Sequence, residues 1–156
     1  MLSVLGMLSL NISKMTVNKA VIPQRLFGNE GDRKFKVTRV YCDDDGKSKF
    51  ADFNIDLLPS GLIGSLSKLI PTKGIIFRTT PGNYDYNWHQ APRRQFVINL
   101  DASLEIEVSS GEKRIIPQGG VFLLEDTQGE GHKSRSVDNK PRTSLFIPVS
   151  DEFKVN

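Results

Sequence analysis

The chain is poor in thiols, imidazoles, long apolar runs and helical periodicity. Its 156 residues hold one cysteine, Cys42, and two histidines, His89 and His132. A single thiol excludes an internal disulfide, so a reducing, cytoplasmic setting is expected. The net charge of +3 is mild, and no block of like charge is long enough to act as a tail. Neither nucleic acid nor a membrane is therefore an expected partner. The N-terminal "MLSVLGMLSL" is too short to span a bilayer. It also lacks the basic flank and small-residue cleavage site of a signal peptide. Met15 is an alternative start, and Asn11-Ile12-Ser13 matches a glycosylation sequon by pattern alone. The length suits one domain with one core.

What the chain does have is a succession of short strand patterns broken by Gly, Pro and Asp. "FKVTRVYC" runs into "DDDG" and then "KSKFADFNIDL", where Phe53, Ile55 and Leu57 alternate with Asp52, Asn54 and Asp56. This period of two gives one apolar and one wet face, and Asp45-Gly46 supplies the residues of a tight hairpin turn. "GLIGSLSKLI", residues 61–70, is the best candidate for a short helix or an irregular lid. From residue 74 onward come "GIIFRTT", "RQFVINL", "LEIEV", "KRII", "VFLLE", "HKSRSV" and "TSLFIPV". Many short strands at regular spacing predict an all-β sandwich or barrel. In "QFVINL" neither face is polar throughout, which predicts a strand covered on both sides: one face toward a barrel interior, the other toward a second layer or subunit.

Several polar residues are candidates for chemistry. Arg93 and Arg94 can clamp an anion, since guanidinium grips carboxylate bidentately. On a strand they point to opposite faces, so only Arg93 shares a face with Gln95. The plainer reading is a surface or dimer-interface Arg paired with an acid such as Glu105 or Glu107. Those two glutamates sit opposite an apolar stripe and read as a solvated face. In "EDTQGEGH", Glu125 or Asp126 can serve as general acid or base beside His132, or Asp126 can cap an Asx-type turn. Gly129 and Gly131 permit close backbone approach. Trp88, with Tyr84 and Tyr86, can stack a ligand ring at a barrel mouth or simply close one end of the core.

These motifs resemble the cupin family. "GEKRIIPQG" matches its second motif at Gly111, Pro117 and Gly119. His89 stands at the first His of the first motif, Ala91 at the second, Gln95 at its Glu and Ala102 at its Gly; His132 corresponds to the His of the second motif, set further from Gly119. The stretch "WHQAPRRQF…EDTQGEGH…RTSLFIPV" is similar to a branch of small single-domain cupins. The resemblance covers residues 70–150. It implies a cupin-type jelly-roll β-barrel, preceded here by an N-terminal β-hairpin extension, and a homodimer. It divides the chain into an extension (1–14), N-terminal strands with a short helical segment (15–69), the barrel core (70–150) and a tail (151–156).

A cupin metal site commonly uses three His and one Glu. The corresponding set here is His89, Gln95 and His132, with Asp126 able to join, for one divalent transition metal such as Fe, Mn, Ni, Cu or Zn. Ala91 cannot ligate, and Gln95 offers a neutral amide. The expected pocket is lined by Trp88, His89, Arg93, Gln95, Asp126 and His132, with His132 and Asp126 as catalytic residues. Three functions remain open at this point: an enzyme acting on a small organic molecule, a non-catalytic ligand-binding protein, and a purely structural dimer.

Overall fold

The computed structural model describes residues 34–155. The expectations for residues 1–14, for Met15 and for the sequon lie outside the described residues. Twelve strands follow in chain order: β1 (Lys34–Cys42), β2 (Ser48–Asp56), β3 (Leu58–Pro59), β4 (Ser65–Leu66), β5 (Ile76–Thr80), β6 (Asp85–His89), β7 (Gln95–Asn99), β8 (Leu104–Val108), β9 (Lys113–Ile116), β10 (Val121–Glu125), β11 (His132–Ser136) and β12 (Arg142–Pro148). A six-stranded sheet has the order β2-β1-β10-β7-β12-β5, and a four-stranded sheet the order β6-β11-β8-β9. The fold is all-β and jelly-roll-like, as expected.

The β1–β2 hairpin turns where expected, with Gly46 at φ 79° and the Gly46 N–H donating to Asp43 O at 3.0 Å. β1 then pairs in parallel with β10, Val40 opposite Leu124. The hairpin thus extends the main sheet, and the barrel wall reaches back to Lys34, ahead of the boundary expected at residue 70. Of the two alternatives expected over 61–70, a short helix or an irregular segment, the α-helix does not form. Gly61–Ile63 makes one 3₁₀ turn and β3 pairs with β4. Gly61 and Gly64, both at positive φ, interrupt the apolar periodicity that suggested a helix. Conversely, "DYNWH", which is not among the strand patterns singled out above, forms the edge strand β6.

The core has two layers. Between the sheets lie Val40, Val97, Leu104, Ile106, Phe122 and Leu124. On the outer face of the large sheet lie Val37, Phe53, Phe96, Leu123 and Val149, covered by Ile70, Phe153 and Val155. The expected double burial of β7 is met by a strap from the chain's own C-terminal segment. Phe153 stacks on Phe96 with ring centroids 5.4 Å apart. Removing this half-buried ring in Phe153→Ala forfeits about 2 kcal/mol, a fraction of the cost of emptying a fully buried aromatic site. Urea unfolding measures it. A loss under about 0.5 kcal/mol, the range of ordinary surface substitutions, would show that the strap adds nothing to the outer core.

Candidate functional site

A cavity of about 490 Å³ opens between the sheets, within the usual range for small-molecule pockets. Alternation along the strands sets its wall. β7 contributes Gln95, Val97 and Asn99, β12 contributes Arg142, Ser144 and Phe146, and β11 contributes His132 and Ser134. Their neighbours along each strand point outward.

Of the expected site residues, the structure brings His89, Gln95 and His132 together on this wall, with Arg93 exposed at its rim. His132 is 3% exposed and its Nδ1 lies 2.6 Å from Asp126 Oδ2. Asp126 is wholly buried behind the imidazole and forms no part of the cavity wall. It holds His132 from behind and lies off the cavity wall, which corrects its place among the pocket residues. Trp88 also moves out of the pocket: it is 43% exposed, does not line the cavity, and carries the Lys133 ammonium 4.7 Å above its ring. Its neighbours Tyr86 and His89 take the inner positions instead.

The two histidines face each other across the β6–β11 pair, with ring centroids 4.4 Å apart. Each has its Nδ1 engaged, His89 by the carbonyl of Asn87 at 2.7 Å and His132 by Asp126. Neither Nε2 has a hydrogen-bond partner among the described residues. Gly131 makes this apposition possible. It sits at φ 73°, and a Cβ there would lie 2.2 Å from the His89 carbonyl oxygen, so only glycine lets the loop before His132 run this close to β6.

Arg94 turns away from the cavity, as its alternation with Arg93 requires. Its Nη2 meets Glu125 Oε1 at 2.5 Å and its Nη1 donates to Phe153 O at 3.0 Å. Arg39 Nε lies 2.8 Å from Glu125 Oε2, an ion pair without hydrogen-bond alignment. Glu125 is thereby tied to two arginines, and Arg94 pairs with an acid as its plainer reading held, the acid being Glu125 and not Glu105 or Glu107. Those two glutamates instead pair across the outer face of the small sheet with Arg135 at 2.6 Å and Lys113 at 3.1 Å.

Sequence reasoning missed the other end of the cavity. Arg142 is 4% exposed. Its Nε donates to Ser144 Oγ at 3.3 Å, Ser144 Oγ donates to Asn99 Oδ1 at 3.3 Å, and Asn99 Nδ2 donates to Ile116 O at 3.2 Å. Tyr84 OH is 2.8 Å from Ser134 Oγ, and both Arg78 and Arg142 lie over the Tyr84 ring. The signal was the period-two pattern of "RTSLF", which sets Arg142 and Ser144 on the face that Phe146 shares with the core.

The charge of the wall is one-sided. Arg78, Arg93 and Arg142 line it with the two imidazoles, and among the described residues no Asp or Glu does. Among the described residues no group of three or more His, Cys, Asp or Glu is placed to hold a metal ion. The set expected for a metal, His89, Gln95 and His132, amounts to two imidazoles and a neutral amide in a cationic cavity. That donor set does not fit a divalent transition metal, which calls for further charged or imidazole ligands.

Burial pushes the His89 pKa below its ordinary value of 6.5, reinforced by His132 and Arg78 and opposed by the Asn87 carbonyl and Asp126. Below pH 6.5 the unfolded chain then binds more protons than the native one. The stability His89 allows is complete above that pH and is lost as pH falls through the folded-state value. NMR titration of the ring protons should give a midpoint under 6.5, and His89→Gln should flatten the fall in stability on acidification. A midpoint at or above 6.5 would contradict this assignment.

No family model matches the chain, and no curated protein matches it. Among the described residues no helix is long and apolar enough to cross a membrane. Solved structures similar to it include the cupin domain of Schizosaccharomyces pombe Cnp3, at 9% identity and TM-score 0.41 over 76% of this chain and 86% of that one. An RmlC-like cupin protein from Desulfovibrio desulfuricans is 12% identical, TM-score 0.36, over 88% and 97%. Protein NMB1881 from Neisseria meningitidis is 18% identical, TM-score 0.40, over 53% and 81%. On its own sheet order, the chain is an all-β, jelly-roll-like barrel of the kind the cupin resemblance implied.

Proposed function

We propose that the barrel cavity binds a small organic molecule and that His132, held by Asp126, exchanges a proton with it. The observation that carries this reading is the buried His132–Asp126 pair, 2.6 Å apart, with the other imidazole nitrogen left unengaged on a cavity wall. Asp126 fixes the tautomer in which Nδ1 carries a proton and Nε2 has a lone pair, and it stabilises the imidazolium once Nε2 is protonated. Tyr84 and Gln95 supply further hydrogen-bonding groups on the same wall.

In heavy water, carbonyl compounds that bind the cavity should exchange the hydrogen next to the carbonyl, followed by proton NMR. His132→Gln should slow this exchange by about 100-fold or more, the usual contribution of a positioned acid–base group, while binding persists. Exchange unaffected by His132→Gln would sink the catalytic part. Binding without exchange would favour the second reading, a non-catalytic ligand-binding cupin, which the missing Glu and His at Gln95 and Ala91 support.

This reading needs no metal. Elemental analysis of untagged protein should give iron, manganese, nickel, copper and zinc well below one equivalent. A stoichiometric metal lost in His89→Ala would replace the reading with a metal site. The homodimer belongs to the same proposal: edge strand β5 leaves Ile76 and Phe77 exposed, Phe77 by 75%. Phe77→Asp should convert a dimer to a monomer by light scattering, and a wild-type monomer would remove the dimer from the proposal.

A further inference from the structure

Resting on the reading that the cavity binds an organic molecule, we infer that this molecule is a small organic acid whose carboxylate seats on the guanidinium of Arg142.

Arg142 is buried to 4% exposure, lines the cavity, and its Nη1 is enclosed without a hydrogen-bond partner from the protein. It makes no ion pair among the described residues. Asp101, the acid whose charge acts on it, accepts the Thr143 N–H at 2.6 Å. A buried guanidinium without a counterion costs several kcal/mol, and a fold tolerates such a cost where function uses the charge. The guanidinium is also held in place. Its Nε is fixed by the Ser144–Asn99–Ile116 chain of hydrogen bonds, which presets the guanidinium at the cavity wall. Guanidinium and carboxylate match bidentately. A single buried guanidinium balances one negative charge. A phosphate monoester, near −2 at neutral pH, would need a second buried cation, and Arg78 and Arg93 are exposed.

The rest of the ligand follows from the strand register. Asn99 and Gln95 lie four residues apart on β7, roughly 13 Å at strand rise. Arg142 lies at the Asn99 end through Ser144. Gln95 lies opposite Leu124, two residues before Asp126. A carboxylate on Arg142 therefore sends the body of the acid past Val97 and Phe122 toward Gln95 and His132. The acid is anchored at one end and meets the imidazole at the other.

The test compares matched acid and amide pairs, benzoate with benzamide and hexanoate with hexanamide, by calorimetry and thermal shift on the full chain. The acids should bind at least tenfold more tightly than their amides. Arg142→Met should erase that preference while leaving the amides bound, and should raise the melting temperature of the ligand-free protein, since it removes an uncompensated buried charge. Arg142→Lys, which keeps the charge and loses the fork, should retain part of the preference even if Arg142→Met fails to fold. Amides binding as well as acids to the wild type would overturn the inference and leave the pocket reading standing. An acid preference that survives Arg142→Met would overturn it too, placing the anion on Arg78 or Arg93. Binding of neither acids nor amides would remove both the inference and the reading on which it rests.

Discussion

The site depends on two consecutive carboxylates at the end of β10 that face opposite ways. Glu125 points outward and is neutralised by Arg39 and Arg94. Asp126 points inward, is wholly buried, and has one side-chain partner, His132. A buried carboxylate with a single partner is costly to separate from it, so Asp126 fixes where the β10–β11 loop must bring His132. The outer ion cluster then anchors that geometry to the rest of the molecule. Arg39 reaches in from β1, Arg94 from the residue just before β7, and Arg94 also holds the Phe153 carbonyl of the C-terminal strap. The imidazole is set by contacts with residues that never touch the cavity.

The cavity itself follows from the difference between the two faces of the large sheet. Its outer face is filled by aromatic and aliphatic side chains, with the strap laid over Phe96 and Leu123. Its inner face alternates large residues with Asn99, Ser144 and Gln95, which are too small or too polar to fill the space between the sheets. The small sheet responds with Ser134 and Ile106 opposite them. Dense packing outside holds the sheet in shape, so the inner side need not be filled to keep the barrel standing. This separation lets a fold carry buried polar groups without losing its core.

Much of this was legible in the sequence because strands have a period of two. The alternation in "QFVINL" separates Gln95, Val97 and Asn99 from Phe96, Ile98 and Leu100 and predicts the double burial of β7. The alternation in "LEIEV" gave the wet face of Glu105 and Glu107. Alternation also separates Arg93 from Arg94. The failures have equally physical causes. Trp88 sits among aromatics whose side-chain direction is set by a register shift in the β6–β11 pair, which no local pattern announces. The helix over 61–70 rested on apolar periodicity that two positive-φ glycines interrupt. Asp126 could be placed near His132, yet its position behind the imidazole depends on the path of a loop. Arg142 was overlooked because an arginine at the start of a strand reads as surface. Its burial comes from pairing with β5 and β7, both distant in sequence.

The cavity charge ties these points together. A carboxylate at position 95 would add a negative charge to the wall beside the two histidines and would favour a cation there. Gln95 removes that charge, and Ala91 removes an imidazole. What remains, among the described residues, is a wall with three guanidinium groups, two imidazoles and no acid. In a partly closed, low-dielectric space such imbalance is felt over many ångströms. It weakens the attraction for a metal at His89 and His132, and it leaves Arg142 in want of an anion. The residues at 91 and 95 that differ from the cupin metal motif and the unpaired buried arginine thus act in one electrostatic direction, against a cation in the cavity and, under the proposed reading, toward an organic acid.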